Sequence, residues 1–492
     1  MSCRLPTLTL NIGPLDPKWP DRLREELVSL VEFVEESAEQ DQDWFDIQPL
    51  DEKGLKWEGT CWSMYNMKKY ELKVFFEVPA GYPAAPIEIQ IPELDGKTEK
   101  MYRGGFICMD LHFAPQWRSN SPKYGIVHAM CLALGPWLAA EIPHLAESGA
   151  LATDVQYADI DDVWNFMKTH KRKYRSTLTC LRNAVDWWLT MPDVNLVLDL
   201  GDAIDGFRNA DRAMGLHAIR KVMEEWERLE RCNVNVAVPH LIGNHELYKF
   251  TREELMKGVE NTSFSCICPD RLASHADRKS SFNYSFKLEP NSRWRVVILD
   301  PYAESVMRNG GGRVGIELTL ENGGLDPHFT DVCQQNNPND IFKATNFFAG
   351  LSGDASRWCP FNGGVGQEQL AWLDSVLIQA DKDDERVLIA SHVILHPMAT
   401  PGHNCHTLLW DYEAVLGILE KHTSVKLVVC GHAHHEGYFH CERTGIHHIS
   451  LPSPLEAPED VAETTFGLLE LFDERVRLVG NGWVTSRDIR IT

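Results

Sequence analysis

The chain has 492 residues, 43% hydrophobic and 24% charged, which exceeds one ordinary domain and matches a globular composition. Its formal net charge of −23 argues against a generic nucleic-acid or acidic-membrane surface. The 13 cysteines are scattered, with Cys266-Ile-Cys268 the closest pair, so neither a disulfide framework nor a CxxC zinc array is expected. No basic region followed by an apolar core opens the chain. The longest apolar stretch, from Ala129 to Ala140, is broken by Gly135-Pro136 and too short to span a bilayer. A cytoplasmic protein with no membrane or nucleic-acid partner is the expectation.

Residues 1–150 open with a helical pattern, Leu23, Leu27, Leu30, Val31 and Val34. Strand-like segments follow around Cys61 to Tyr65 and Tyr70 to Phe76. The proline-rich turn Val78 to Pro86 precedes another strand, Ile87 to Ile91. A loop carries Cys108, and a helix-like stretch begins at Gly125. This half reads as α+β. From about Thr153 helix and strand alternate, as in layered α/β proteins. The basic, helix-like segment Lys171 to Arg175 leads into Leu178, Leu181, Val185 and Trp188; it reads as a solvated helix face, with phosphate contact the alternative. Another helix runs near Leu216 to Leu229. The stretch from Gly310 to Gly366, rich in Gly, Asn and Asp, reads as a loop excursion covering a pocket. The expected domains are 1–150 and 151–492.

Across the second half, metal-ligand types occur in a set order: Asp154-Val-Gln156, Gly201-Asp202, Gly243-Asn244-His245-Glu246, Ser391-His392 and Gly431-His432-Ala433-His434. Most follow short Val- and Leu-rich runs, which read as buried strands. Ligands just past strand ends converge on one edge of a sheet. Two divalent ions roughly 4 Å apart can clamp the attacking and leaving oxygens of a displacement at phosphorus. Asp202, with two carboxylate oxygens, is the expected bridge. Asp154 and Gln156, at i and i+2 on a strand end and so on one face, join His434 around the first ion. Asn244, His392 and His432 hold the second. Water on such ions loses several pKa units and becomes the nucleophile. His245, beside a ligand, is assigned to charge stabilisation or protonation of the leaving oxygen. Oxygen and imidazole donors without thiolate suit manganese, iron or zinc; the neutral oxygen of Gln156 tilts the choice to manganese. A single histidine after an apolar run is usually a core residue, but five pieces in the required order are not.

Residues 153–492 resemble the manganese-dependent ADP-ribose/CDP-alcohol diphosphatases of the calcineurin-like metallophosphoesterase superfamily. The matching segments are Asp154-Val-Gln-Tyr-Ala-Asp159, Leu200-Gly-Asp-Ala-Ile-Asp-Gly206, Gly243-Asn-His-Glu-Leu-Tyr248, Phe361-Asn-Gly-Gly364 with Gln369-Leu-Ala-Trp-Leu373, and Gly445-Ile-His-His448. The resemblance implies an α/β layered sandwich that hydrolyses the pyrophosphate bond of a nucleotide-diphosphate substrate. Phe166, after the first motif, is a candidate to stack on a base, and Cys405, in Gly402-His-Asn-Cys-His406, a candidate pocket residue.

Cys108 lies in Met101-Tyr-Arg-Gly-Gly-Phe-Ile-Cys-Met-Asp110, past a glycine pair that permits a sharp turn and near Lys100 and Arg103. Residues 1–150 resemble the ubiquitin-fold modifier-conjugating enzyme, through Asn11 to Pro14, Asp43-Trp-Phe45, Pro92 to Thr98, Lys100 to Gly105, Ile107-Cys108, His112-Phe113 and Gly135 to Pro143. That resemblance implies a ubiquitin-conjugating-like fold. It also implies a thioester on catalytic Cys108, and as partners the modifier with its activating and ligase enzymes. Thioester exchange suits a thiolate, both nucleophile and leaving group. The chain departs from the family near the site, with Glu99 in a Thr-Ala-Lys motif, Phe106 in place of lysine, and Met109-Asp110-Leu111 in place of Leu-Thr-Asp.

The first domain reads as ending near Ala146-Glu-Ser-Gly149, a helix C-cap, which leaves only Ala150 to Thr153 as the strand before Asp154. A short strand predicts looser ligands for the first ion than for the second. Three readings stand: two active enzymes in one chain, one active enzyme with the other domain a binding scaffold, or a joined gene model.

Overall fold

The computed structural model describes residues 5–39, 43–65, 68–95, 98, 100–110, 113–142, 147–165, 168–191, 194–209, 211–278, 282–288, 292–311, 325–342, 346–472 and 474–491. It divides into two units, Met1–Ala146 and Glu147–Thr492.

In the first unit, the helix Trp19–Glu39 buries Leu30 and Phe33 and packs Leu23, Leu27 and Val34 on the core. Val31, expected on that apolar face, is 52% exposed. Six strands form one antiparallel sheet: β1 (Phe45–Pro49), β2 (Lys56–Tyr65), β3 (Lys68–Glu77), β4 (Glu88–Gln90), β5 (Met101–Tyr102) and β6 (Phe106–Ile107), in the order β1-β2-β3-β4-β6-β5. Alternate residues of β3, Leu72, Val74 and Phe76, point to the core, as the period of two requires. The fully buried Arg22 pairs with Glu26 at 2.8 Å and donates to the carbonyls of Leu10, Pro122 and Tyr124; a buried guanidinium is tolerable only when so satisfied.

The second unit is built on two packed sheets. One runs β10-β7-β18-β19-β20, from β7 (Glu147–Ala152), β10 (Val194–Asp199), β18 (Phe466–Leu471), β19 (Arg475–Asn481) and β20 (Arg487–Arg490). The other runs β11-β12-β13-β14-β15-β17-β16, from β11 (Ala276–Arg278), β12 (Tyr284–Lys287), β13 (Trp294–Ile298), β14 (Arg386–Ser391), β15 (Val425–Cys430), β16 (Gly437–Cys441) and β17 (Ile446–Ser450). A short ribbon pairs β8 (Val163–Trp164) with β9 (Lys171–Arg172). Leu196, Leu198, Leu388, Ala390, Leu427 and Val429 fill the core between the sheets. The intervening Val197, Val387, Ile389 and Val428 face the outer core with the helices Tyr174–Leu189, Arg212–Cys232 and Gly366–Lys382. Strands covered on both faces need the continuous apolar runs seen in the sequence.

Three expectations change. Glu147-Ser-Gly149 is not a helix cap: it forms the first half of β7, which pairs with β10 on one side and β18 on the other. The strand before Asp154 is thus six residues long, and the argument for a loosely held first site falls. Lys171–Arg172 is β9 rather than helix, because it pairs with β8; the helix starts at Tyr174. The excursion from Gly310 to Gly366 contains a helix, Pro327–Asn336, whose Asp326 side chain accepts from the His328 and Phe329 amides.

Candidate metal centre and candidate thiol site

Asp154 and Gln156 follow β7, Asp202 follows β10, His392 follows β14, and His432 and His434 follow β15; Asn244 opens the helix Asn244–Lys249. All seven are buried. Asp154 and Gln156 do not converge through strand alternation, because β7 has already ended. Their backbones are left-handed, φ +48° and +40°, as are those of Asp202 (+58°), His432 (+69°) and His434 (+60°). Such conformations are rare for side chains other than glycine and cost of order 1–3 kcal/mol each. Five of them, where strand ends of the two sheets come together rather than along one sheet edge as expected, mark a site for which stability has been given up.

The geometry sorts the residues into two groups sharing one carboxylate. Gln156 Nε2 lies 2.8 Å from His434 Nε2, and His434 Nε2 lies 3.5 Å from Asp154 Oδ1. Asp202 Oδ2 is 3.3 Å from His392 Nε2, which is 3.3 Å from Asn244 Oδ1. Ligating atoms of Asp202, His392 and His432 all fall within 4.8 Å of one another. Asp202 Oδ2 also accepts from Gln156 Nε2 at 3.0 Å, so this carboxylate faces both groups, while its Oδ1 accepts the His245 amide at 2.9 Å.

Each imidazole is oriented by its other nitrogen. His392 Nδ1 is 2.7 Å from the Leu200 carbonyl, His434 Nδ1 is 3.1 Å from Glu456 Oε1, and His432 Nε2 is 2.8 Å from Asn362 Oδ1. Such bonds fix the tautomer and leave the opposite lone pair for an ion. Glu246 accepts the amides of Asp202, Ala203 and Gly243 and ties two ligand loops together. Glycine is required where a Cβ would strike the ligands: at Gly243 it would lie 2.1 Å from Asp202 Oδ1, and at Gly431 2.7 Å from Asp154 Oδ2.

The residues fit a pair of divalent cations. Asp154 Oδ1 and Gln156 Oε1 are buried without a hydrogen-bond partner, which is costly unless something else satisfies them. Burial first, with the charge of Asp202, pushes the Asp154 carboxyl above its ordinary range; a cation would relieve both. Burial, with the neighbouring His392, holds the His432 imidazole well below its usual pKa, hence neutral, as a ligand must be.

A cavity of about 650 Å³ opens over these residues. Gln156, Asp202, Asn244, His245, His432 and His434 line it, with Phe347, Phe348 and Phe361 from the long excursion, and Arg172 from β9. Phe348 stacks on His406 at 3.6 Å between ring centres. His245 Nδ1 accepts the Gly206 amide at 3.0 Å, which places its ring proton on Nε2, 4.0 Å from Asp202 Oδ2. One of the two expected substrate contacts differs. Cys405 does not line the cavity: with φ +53° its thiol packs in the hydrophobic core, and its neighbours Asn404 and His406 line the cavity instead. Phe166 lies outside the described residues. Arg172 belongs to the basic run whose alternative reading is phosphate contact, and Glu246 and Asn362 sit in the motifs given above; their roles, and Glu456 altogether, show only in the fold.

In the first unit, Cys108 follows β6 and is partly exposed. Its Sγ lies 3.5 Å from Tyr102 Oη, and that hydroxyl donates to Asp110 Oδ2 at 2.6 Å. The Asp110 hydrogen bond, then that of Cys108, raise the Tyr102 pKa, so the phenol stays protonated. Lys100, a nearby cation in the sequence, places its ammonium 2.8 Å from Glu141 Oε1. Among the described residues no helix is long and apolar enough to cross a membrane.

The sequence matches two family models, ubiquitin-fold modifier-conjugating enzyme 1 over residues 1–152 and calcineurin-like phosphoesterase over residues 150–436. The first part is 49% identical over 149 residues to the ubiquitin-fold modifier-conjugating enzyme 1 of Arabidopsis thaliana, covering 30% of this chain and 86% of that protein. It is 52% identical over 151 residues to the Dictyostelium discoideum protein of the same name, covering 30% of this chain and 90% of that one. The second part is 33% identical over 341 residues to a manganese-dependent ADP-ribose/CDP-alcohol diphosphatase of Arabidopsis thaliana, covering 69% of this chain and 96% of that protein. Among solved structures, a dimetal phosphatase from Danio rerio is 32% identical with a TM-score of 0.58, covering 70% of this chain and 99% of that one. With a thiol after β6 in one unit and a convergent donor set at the strand ends of two sheets in the other, the chain belongs to two enzyme families, the ubiquitin-fold modifier-conjugating enzymes and the calcineurin-like phosphoesterases.

Proposed function

We propose that the second unit hydrolyses the pyrophosphate bond of nucleoside-diphosphate-linked compounds, ADP-ribose and CDP-alcohols among them. Water is added across P–O–P to give a nucleoside monophosphate and a phosphorylated sugar or alcohol. The convergence of six buried donors around Asp202 is the observation that carries this reading. Asp154, Gln156 and His434 would hold one manganese ion, Asn244, His392 and His432 the other, with Asp202 between. When bound, the ions supply Lewis-acid stabilisation at phosphorus and lower the pKa of water. His245 presents an Nε2 proton to the cavity for the departing oxygen. Arg172 puts a guanidinium in the wall, complementary to a phosphate, and the Phe348–His406 stack offers a flat face to a base. Turnover of ADP-ribose and CDP-choline is expected to require manganese, to be lost with a chelator, and to be lost in Asp202→Asn. Activity retained by that variant would exclude the bridging role.

For the first unit we propose that Cys108 carries the ubiquitin-fold modifier. Its thiolate attacks the thioester joining the modifier's C-terminus to the activating enzyme; the new S–C bond forms as the old one breaks, and the activating enzyme's thiolate leaves. A lysine amine then takes the acyl group and frees Cys108. An adduct cleaved by reductant is expected on the full chain, and Cys108→Ser should give a reductant-resistant one or none. An unchanged reducible adduct on that variant would exclude Cys108.

A further inference from the structure

Beside the main centre, His170, His435 and Glu456 each offer one ligand atom within 4.8 Å of the others. His435 Nε2 and His170 Nε2 face each other at 3.4 Å, with ring planes 66° apart. Both Nδ1 atoms are engaged, His435 with the Ala433 carbonyl at 3.4 Å and His170 with Thr169 Oγ1 at 3.1 Å. In the tautomer that carries its proton on Nδ1, each ring aims an Nε2 lone pair at the other, an arrangement that a shared cation would satisfy. Two nitrogens bound to one tetrahedral zinc at about 2.0–2.1 Å stand about 3.3–3.4 Å apart, which is the spacing present.

Glu456 supplies the oxygen. Its Oε1 is held by Arg172 at 2.8 Å and by His434 Nδ1 at 3.1 Å. Its Oε2 accepts from Asn165 Nδ2 at 3.1 Å and stands 3.8 Å from His170 Nδ1, so it keeps capacity for one more partner. We infer that His170, His435 and Glu456 form a third cation site, separate from the dinuclear set and suited to zinc-class ions rather than manganese. Two imidazoles with a single carboxylate are a nitrogen-rich donor set, which suits zinc, whereas the main centre has more oxygen donors than imidazoles and suits manganese. Three ligands with a guanidinium nearby hold zinc less firmly than a closed four-ligand structural site. Through Glu456, an ion here touches the group that orients His434.

Zinc itself is the probe. Full-length protein is dialysed to equilibrium against excess zinc and its metal content measured, for wild type, His170→Ala and His435→Ala. Wild type is expected to hold one zinc per chain more than His170→Ala, and His435→Ala to lose at least as much. The His170 ring is 42% exposed, so its removal leaves the fold intact. Zinc content in His170→Ala equal to wild type overturns the site. The same dialysis against manganese should show no difference between the two proteins; a difference there overturns the zinc-class assignment. Neither readout depends on hydrolysis.

Discussion

Asn362 Oδ1 lies 2.8 Å from His432 Nε2, although 70 residues separate the two. The amide is held in one orientation because its Nδ2 donates to the carbonyls of Arg357 and His406, both at 2.9 Å. Its oxygen can therefore only accept, the His432 proton sits on Nε2, and the Nδ1 lone pair is left for an ion. Asn362→Leu keeps the volume and removes the acceptor. Metal affinity or turnover should fall about 10–100-fold, the usual cost of losing such a partner. A manganese titration of hydrolysis should show the half-saturation point moving up, while His432→Ala should abolish activity at any manganese concentration tested.

Gly431 is the second pressure point. A methyl group there would sit 2.1 Å from Thr153 Oγ1 and 2.7 Å from Asp154 Oδ2. Gly431→Ala should destabilise the unit by about 1–3 kcal/mol, as overpacking does, and push Asp154 out of register. Thermal unfolding and bound manganese should both fall. Gly417→Ala, in the helix Tyr412–Leu419 where a Cβ meets nothing within 4 Å, should leave bound manganese unchanged and raise stability by about 0.5–1 kcal/mol, the helical preference for alanine over glycine.

At the thiol site, the pair Tyr102 and Asp110 holds Cys108 through one hydroxyl. Tyr102→Phe removes that contact and leaves the ring. Hydrogen bonds of this kind contribute about 0.5–1.5 kcal/mol, so adduct formation should slow about 2–12-fold while the adduct itself stays reducible. Single-turnover loading of the modifier, followed with time, measures the rate.

His128 makes the first unit sensitive to acid. Burial, aided by the nearby Arg22, lowers its pKa from 6.5 to about 4, while its Nδ1 accepts the Gly125 amide at 3.2 Å. Between those values the unfolded chain binds the proton and the folded one does not, so stability rises with pH across that window. It is fully present above about 6.5 and is lost progressively as pH falls toward 4. Denaturant unfolding followed by tryptophan fluorescence should show this slope, and His128→Gln, which can still accept from Gly125, should flatten it.

The primary sequence by itself determined the candidate donors of the main centre and their order, because most of the motifs couple a short apolar strand to the turn that ends it, and both are local features. It likewise placed Cys108 just past a glycine pair. Tertiary structure alone decided what surrounds them. Asn362, Glu456 and Tyr302, whose hydroxyl donates to Asn244 Oδ1 at 3.2 Å, come from segments with no periodicity and distant sequence positions, so nothing local announces their partners. The same holds for Glu147 to Gly149: their own sequence suits a helix end, and only pairing with β10 and β18 makes them strand. Cys405 was drawn into the core by a left-handed turn that its polar loop did not predict. Backbone hydrogen bonding across a sheet and burial against distant residues outweigh local propensity, and those are properties of the folded chain.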